Sequence, residues 1–290
     1  MDINRIKRLT IIALASDDEL VETIVLKGGN AIDLAYSRQG TLHRTSYDLD
    51  FSIEDDFFKE SEQMIRKRIE RTLTQTFAEH DLIVLDYRFV SKPKNIKEEI
   101  ADFWGGYQVT FKVVEKEKYN EKKGDIGKLR NAAIPLNPNS STTFEIEFSK
   151  FEYIGNKKPI SVDGYTIYVY TPEMIVFEKL RALCQQLPQY AQVIPAHSPR
   201  ARARDFYDIH YIMEQYELDP TTGENKWLIE QIFAAKKVPL IYLKELSSSK
   251  AIHQDDWKSV QDTLSRSESA KSFDFYFEFV IRQFASLTFP

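Results

Sequence analysis

Residues Arg44-Thr45-Ser46-Tyr47-Asp48-Leu49-Asp50-Phe51-Ser52-Ile53 hold the reading on which the fold turns. From Ser46 to Ile53 polar and apolar side chains alternate strictly, the pattern of a strand with one solvated face and one buried face. Side chains two apart on a strand share a face. Arg44, Ser46, Asp48, Asp50 and Ser52 are therefore expected on one side, and Tyr47, Leu49, Phe51 and Ile53 on the other, in a core. Two carboxylates side by side repel each other, a cost tolerated where a divalent cation neutralises them. Arg44 and Ser46 on the same face suit a phosphate-like ligand. Acid-x-acid is also common on plain solvated strand faces, so this stretch alone leaves both readings open.

The flanking sequence narrows the choice. Upstream, the β-branched run Thr23 to Leu26 predicts a short strand ending at Lys27-Gly28-Gly29, with Asn30 capping a helix through Ala31, Ile32, Leu34 and Tyr36. Two glycines between a strand and a helix let backbone N–H groups approach a phosphate closely. A tight turn is the ordinary explanation of such a pair, but the glycines and the acidic strand together are more specific than either. Downstream, Thr142 to Phe148 predicts another strand. There Phe144, Ile146 and Phe148 face the core while Glu145 and Glu147 face away together. Should the two strands be neighbours, three carboxylates suffice for two Mg²⁺ ions roughly 4 Å apart, the usual clamp for displacement at phosphorus.

The rest of the chain divides by pattern. Residues 1–16 and 59–79 read as amphipathic helices, and 84–90 and 107–114 as strands. The Lys-, Asn- and Pro-bearing stretch 117–140 reads as a loop, and 160–170 as a hairpin turning at Asp163-Gly164. Thr171-Pro172-Glu173 is a helix start: N-cap, Pro at the first position, acid in the first turn. Helices are predicted beyond it at 172–187, 202–217, 225–237, 254–265 and 270–287. The expected class is α+β, with a mixed β-sheet domain over 1–170 followed by an all-helical domain over 171–290.

Composition bounds the function. The chain has 290 residues, a net charge of −5, and 19 Phe, 15 Tyr and 3 Trp to fill a core, which excludes extensive disorder. Its apolar runs are far short of the roughly 20 residues of a membrane span, and Met1-Asp2-Ile3-Asn4-Arg5 does not open a secretory signal. One cysteine, Cys184, excludes an internal disulfide framework and a cysteine-based zinc cluster, so a reducing cytoplasm is expected.

The residues Leu26-Lys27-Gly28-Gly29-Asn30-Ala31, followed by Arg44-x-Ser46-x-Asp48-Leu49-Asp50-Phe51, resemble the first motif of the nucleotidyltransferase superfamily. Glu178-Lys179-Leu180-Arg181-Ala182-Leu183 and Arg202-Ala203-Arg204-Asp205-Phe206-Tyr207-Asp208-Ile209 resemble the remaining motifs of the AbiEii/AbiGii toxins. These are nucleotidyltransferase-like toxins of bacterial toxin–antitoxin and phage-defence systems. The resemblance implies that Gly28 and Gly29 cradle the nucleotide phosphates, with Asn30, Arg44, Ser46 and Lys179 completing the nucleotide site. It implies that Asp48, Asp50 and Glu147 bind two Mg²⁺ ions, with Glu145 as the alternative third carboxylate, and that Lys179 and Asp205 are essential. Transfer of a nucleotide from an NTP is implied, for some members to the 3′ end of tRNA, together with an antitoxin encoded nearby. Asn30 departs from the usual Ser or Thr, and Gln185 to Ala201, with Pro188, Pro195 and Pro199, reads as an inserted loop near the site.

Physical reading of the C-terminal motifs adds detail. Val176, Leu180, Leu183, Cys184 and Leu187 form an apolar stripe with Lys179 on its flank, free to extend its ammonium into a cleft between the domains. On that placement its removal is expected to cost no more than about 1 kcal/mol of stability. Asp205 at a stripe edge either complements its helix N-terminus or orients Lys179 or a substrate hydroxyl. Arg200, Arg202 and Arg204 form a basic cluster suited to RNA phosphates or to plain solvation. The five histidines lack metal-ligand spacing, and Cys184 and the run Phe273 to Phe279 read as core. Two rivals remain: the same chemistry on a small-molecule or protein hydroxyl, and a nucleotide-binding regulator without turnover.

Overall fold

The computed structural model describes residues 3–36, 47–56, 61–136, 140–264 and 270–289. It divides into two compact units, one of Met1–Asn30 with Ser46–Val169, the other of Ala31–Thr45 with Tyr170–Pro290.

The first unit is built on a seven-stranded mixed sheet. Its strands are β1 (Ile24–Leu26), β2 (Leu49–Ile53), β3 (Leu82–Lys92), β4 (Gly106–Glu115), β5 (Phe144–Ser149), β6 (Lys158–Val162) and β7 (Tyr165–Val169), in the spatial order β3-β4-β5-β2-β1-β7-β6. β2 runs parallel to β5 and antiparallel to β1, while β1 runs parallel to β7. The three outer pairings, β3–β4, β4–β5 and β6–β7, are antiparallel. Alternation sets the buried face: Leu49, Phe51 and Ile53 of β2 join Phe144, Ile146 and Phe148 of β5 and Val109, Phe111 and Val113 of β4. Phe51 stacks on Phe148 with ring centres 5.5 Å apart, and Phe111 meets Phe144 at 5.4 Å. Helices α1 (Ile3–Ala15) and α4 (Glu62–Glu79) pack on each other, and α4 also packs on β3. α4 buries Ile65, Ile69, Leu73 and Phe77 at helical spacing, and Ser61 caps it by accepting from the Met64 N–H. Between α1 and β1 lies α2 (Asp18–Thr23), capped by Asp17.

Two expectations need correction here. Residues 117–140 are not simply a loop, because α5 (Lys116–Lys122) and α6 (Ile126–Asn131) connect β4 to β5. Their short, charged sequences lack an apolar stripe. What holds α6 is its cap, the Asp125 carboxylate accepting from the Lys128 N–H at 3.0 Å, and the single buried residue Leu129. Tyr47 does not enter the core: it precedes β2 and is 37% exposed.

The second unit is helical. Helix α7 (Pro172–Cys184) packs on α8 (Ala203–Tyr216) and α9 (Gly223–Ala234), and α8 packs on α12 (Trp257–Thr263) and α13 (Phe273–Phe284). The short α10 (Tyr242–Glu245) and α11 (Lys250–Gln254) lie between α9 and α12. Earlier in the chain, α3 (Gly28–Ala35) spans the point at which the two units are divided. Phe273, Tyr276, Phe277 and Phe279 are buried, as is Cys184, in agreement with their reading as core, whereas Phe275 of the same run is half-buried.

Candidate active site

The first unit gathers acids on the polar side of its central strands. The parallel β2–β5 register sets Asp50 opposite Glu147, one residue beyond the Leu49–Ile146 pair. On the other side of β5, Gln108 of β4 is opposite Glu147 and Thr110 opposite Glu145. The Gln108 side-chain amide donates to Glu145 Oε2 at 3.1 Å, committing that carboxylate to a neutral partner. Glu147 is shifted upward, first by partial withdrawal from water and then by the charges of Asp48 and Glu145; Lys27 and Lys92 oppose the shift. Ser52, expected on this polar side, is wholly buried.

The glycine turn lies against the same strand. Gly28 has φ +68°, a left-handed conformation that favours glycine, and a Cβ built there would be 3.5 Å from Asp50 Oδ2. The Lys27 N–H donates to the Asp50 carbonyl at 2.9 Å, extending the β1–β2 ladder by one residue. Asn30 is not the helix cap predicted for it, because α3 already begins at Gly28. Its side-chain amide instead donates to the Asp48 carbonyl at 2.7 Å and ties the turn to the acidic segment. Lys27, which the sequence reading left without a role, is buried and donates to Ser149 Oγ at 3.1 Å. Arg44 and Ser46, assigned to the nucleotide, lie outside the described residues.

Carboxylates gathered on one face are chemically of the type that could hold a hard divalent cation. Among the described residues, no three acidic, histidine or cysteine side chains already converge on a common metal position.

The second unit holds a different charge cluster. Lys179 is not on an open flank: it is 8% exposed, and its ammonium reaches Asp205 Oδ1 at 2.7 Å and Asp208 Oδ2 at 2.8 Å. Arg202 bonds the other oxygen of Asp205. The reason is the burial of α7, which hides nearly every residue from Met174 to Cys184, so that the flank of the stripe is covered too. Burial alone would push the Asp205 carboxyl up, but the charges and hydrogen bonds of Arg202 and Lys179 override it and hold it at about 2. Asp208, absent from the predicted site, is 0% exposed. The signal that pointed to it was its spacing, three residues after Asp205 on one helix. Of the three arginines, Arg202 turns inward to Asp205, while Arg200 and Arg204 are exposed. Gln185 to Ala201 is stitched down: Tyr190 is buried, accepts from the Gln185 amide at 3.0 Å and donates to the Lys236 carbonyl at 2.9 Å.

A model of the AbiEii nucleotidyl transferase toxins of type IV toxin–antitoxin systems matches residues 11–279. The chain belongs to the AbiEii family. Two solved structures resemble this AbiEii chain in fold. A candidate nucleotidyltransferase from H. pylori is 18% identical, with 98% of this chain and 93% of that one covered and a TM-score of 0.51. JHP933 from Helicobacter pylori is also 18% identical, with 97% and 90% covered and a TM-score of 0.50. At this identity the likeness concerns the fold, a mixed sheet with many helices. No curated protein matches the AbiEii chain. Among its described residues, no helix is long and apolar enough to cross a membrane.

Proposed function

We propose that this AbiEii chain transfers a nucleotide from a nucleoside triphosphate to an RNA, with the 3′ end of tRNA as acceptor. In this reading it acts in the cytoplasm as the toxin of a toxin–antitoxin or phage-defence pair, and its antitoxin is the product of a neighbouring gene. The observation that carries the reading is the registered pair of Asp50 and Glu147 against the left-handed turn at Gly28.

Asp48, Asp50 and Glu147 would hold Mg²⁺, which when bound supplies positive charge against the triphosphate and favours the ionised acceptor hydroxyl. The chain's own residues have distinct tasks. The Gly28-Gly29 turn offers backbone N–H groups to the phosphates, and Asn30 fixes the backbone of Asp48. Arg44 and Ser46 are proposed as phosphate ligands. Glu147 helps deprotonate the acceptor hydroxyl, whose proton passes to its carboxylate. The hydroxyl oxygen bonds to the α-phosphorus as the bridge to the β-phosphate breaks, and pyrophosphate leaves. Lys179 and Asp205 are proposed to be essential, with Asp205 and Asp208 holding the Lys179 ammonium. Positioning and charge neutralisation supply most of the rate.

The test is incubation with each labelled NTP, Mg²⁺ and total RNA. The expected result is label in the tRNA fraction, lost on chelation. Label in protein or in a small molecule, or nucleotide binding without transfer, overturns the RNA assignment.

A further inference from the structure

The connection from β4 to β5 carries an unusual charge for this chain. Lys116 to Ile134 contains Lys116, Lys118, Lys122, Lys123, Lys128 and Arg130 against Glu117, Glu121 and Asp125, a local excess of positive charge in a protein of net charge −5. This segment forms α5 and α6, joined through Gly124 at φ +102°. With Glu115, the two helices and the residues that follow line an open cavity of about 540 Å³. Its polar lining includes Lys118, Lys122, Lys128 and Asn131, and Ala132 to Pro135 line it as well.

Among the described residues each lysine pairs with a carboxylate near it in sequence: Lys118 with Glu115 at 2.7 Å, Lys122 with Glu121 at 3.4 Å and Lys128 with Asp125 at 3.2 Å. Such exposed local pairs contribute little to stability and yield readily to a competing anion. Lys118 and Lys122 are one helical turn apart on α5, so their stems share a face, and Lys128 approaches from α6. Arg130 takes no part: it is held by Asp86 at 2.8 Å. The lining therefore gathers three ammonium groups, each in an exposed pair with Glu115, Glu121 or Asp125, over an opening larger than one phosphate requires. The segment also leads into β5, the strand of Glu145 and Glu147.

We propose that the α5–α6 cavity is a binding site for the sugar–phosphate backbone of RNA, with Lys118, Lys122 and Lys128 as its phosphate ligands. The assignment deepens the proposed function and rests on its RNA acceptor, but its test reads binding and not transfer.

The probe is fluorescently labelled bulk bacterial tRNA, titrated by anisotropy into the full chain over a range of KCl concentrations. Replacing the three lysines together, Lys118→Glu, Lys122→Glu and Lys128→Glu, is expected to weaken binding at least tenfold. It should also flatten the slope of log K against log[salt] by about 2, as three lost phosphate contacts require. A control with Lys67→Glu, Lys158→Glu and Lys258→Glu changes net charge equally and is expected to keep most of the affinity. The triple alanine variant, checked by its melting curve, covers any misfolding of the reversed one. Excess tripolyphosphate at equal charge should compete poorly. Equal losses in variant and control, unchanged affinity in the α5–α6 variant, absence of tRNA binding by the wild type, or full competition by tripolyphosphate each overturns the site. Loss of tRNA binding in a protein that transfers to no RNA leaves the site standing and sinks the acceptor assignment instead.

Discussion

The two acid clusters of this protein are opposites. On the sheet of the first unit, Asp50 and Glu147 stand together with Asp48 and Glu145 nearby, and partial withdrawal from water, with the like charges of Asp48 and Glu145 second, raises Glu147. In the helical unit, Asp205 and Asp208 are buried against Lys179 and Arg202, and pairing lowers Asp205 to about 2. One cluster sets carboxylates side by side on a strand face, with like charge among the causes that raise Glu147. The other spends its charge internally. Acids of the first kind are available for chemistry at modest cost to the fold, while acids of the second kind are wired into the fold itself, whatever else they do.

Removing a cation from the second cluster gives the largest expected effect. Lys179→Ala leaves two buried carboxylates facing each other without their ammonium, and unfolding in urea should show a loss of about 3–5 kcal/mol. That is well above the roughly 1 kcal/mol expected of a flank residue. A loss within that smaller range would mean that the cluster is not the internally neutralised one described.

Asp50→Asn should do the reverse. Transfer is expected to fall at least 10²-fold, roughly 3 kcal/mol of transition-state stabilisation, while the melting temperature holds or rises as repulsion is relieved. Near wild-type transfer would remove the sheet face from the chemistry.

Acid titration separates the clusters without mutation. Asp205 is depressed in the folded state, from 3.8 to about 2, so its contribution is fully present above pH 4 and is lost as pH falls toward 2, about 2 kcal/mol in all. Glu147 is raised, so its ionisation opposes folding and protonation relieves it. Asp205→Asn should therefore flatten the acid limb of stability against pH, and Glu147→Gln should not; the opposite result would reverse the assignment of the two clusters.

The smallest difference expected is that between two neighbouring acids within the first cluster. Glu147→Gln should abolish transfer, while Glu145→Gln, which alters a carboxylate already bonded by Gln108, should only weaken it. Equal losses would show that the third acid is shared between the two positions.

Much of this was legible in the sequence, and the boundary is physical. Period-two alternation is a local property, so β2, β5 and their core faces could be read from Ser46 to Ile53 and Thr142 to Phe148. Caps are local too, which is why Thr171-Pro172 announced α7. Tyr47 failed because alternation does not say where a strand begins, and α5 and α6 failed because short charged helices carry no periodic apolar signal. Asn30 was misread for a similar reason: a good capping residue was assigned by type, while the helix had already started at the glycines.

The sequence by itself determined the alternating acids, the glycine turn, the helical second half and the residue types of both charge clusters. Tertiary structure alone decided that β2 lies beside β5 in the register that sets Asp50 against Glu147, and that Lys179 is enclosed between Asp205 and Asp208. Strand order and the covering of a helix flank depend on contacts between residues far apart in the chain. No periodicity along a single segment encodes which other segment arrives to pack against it.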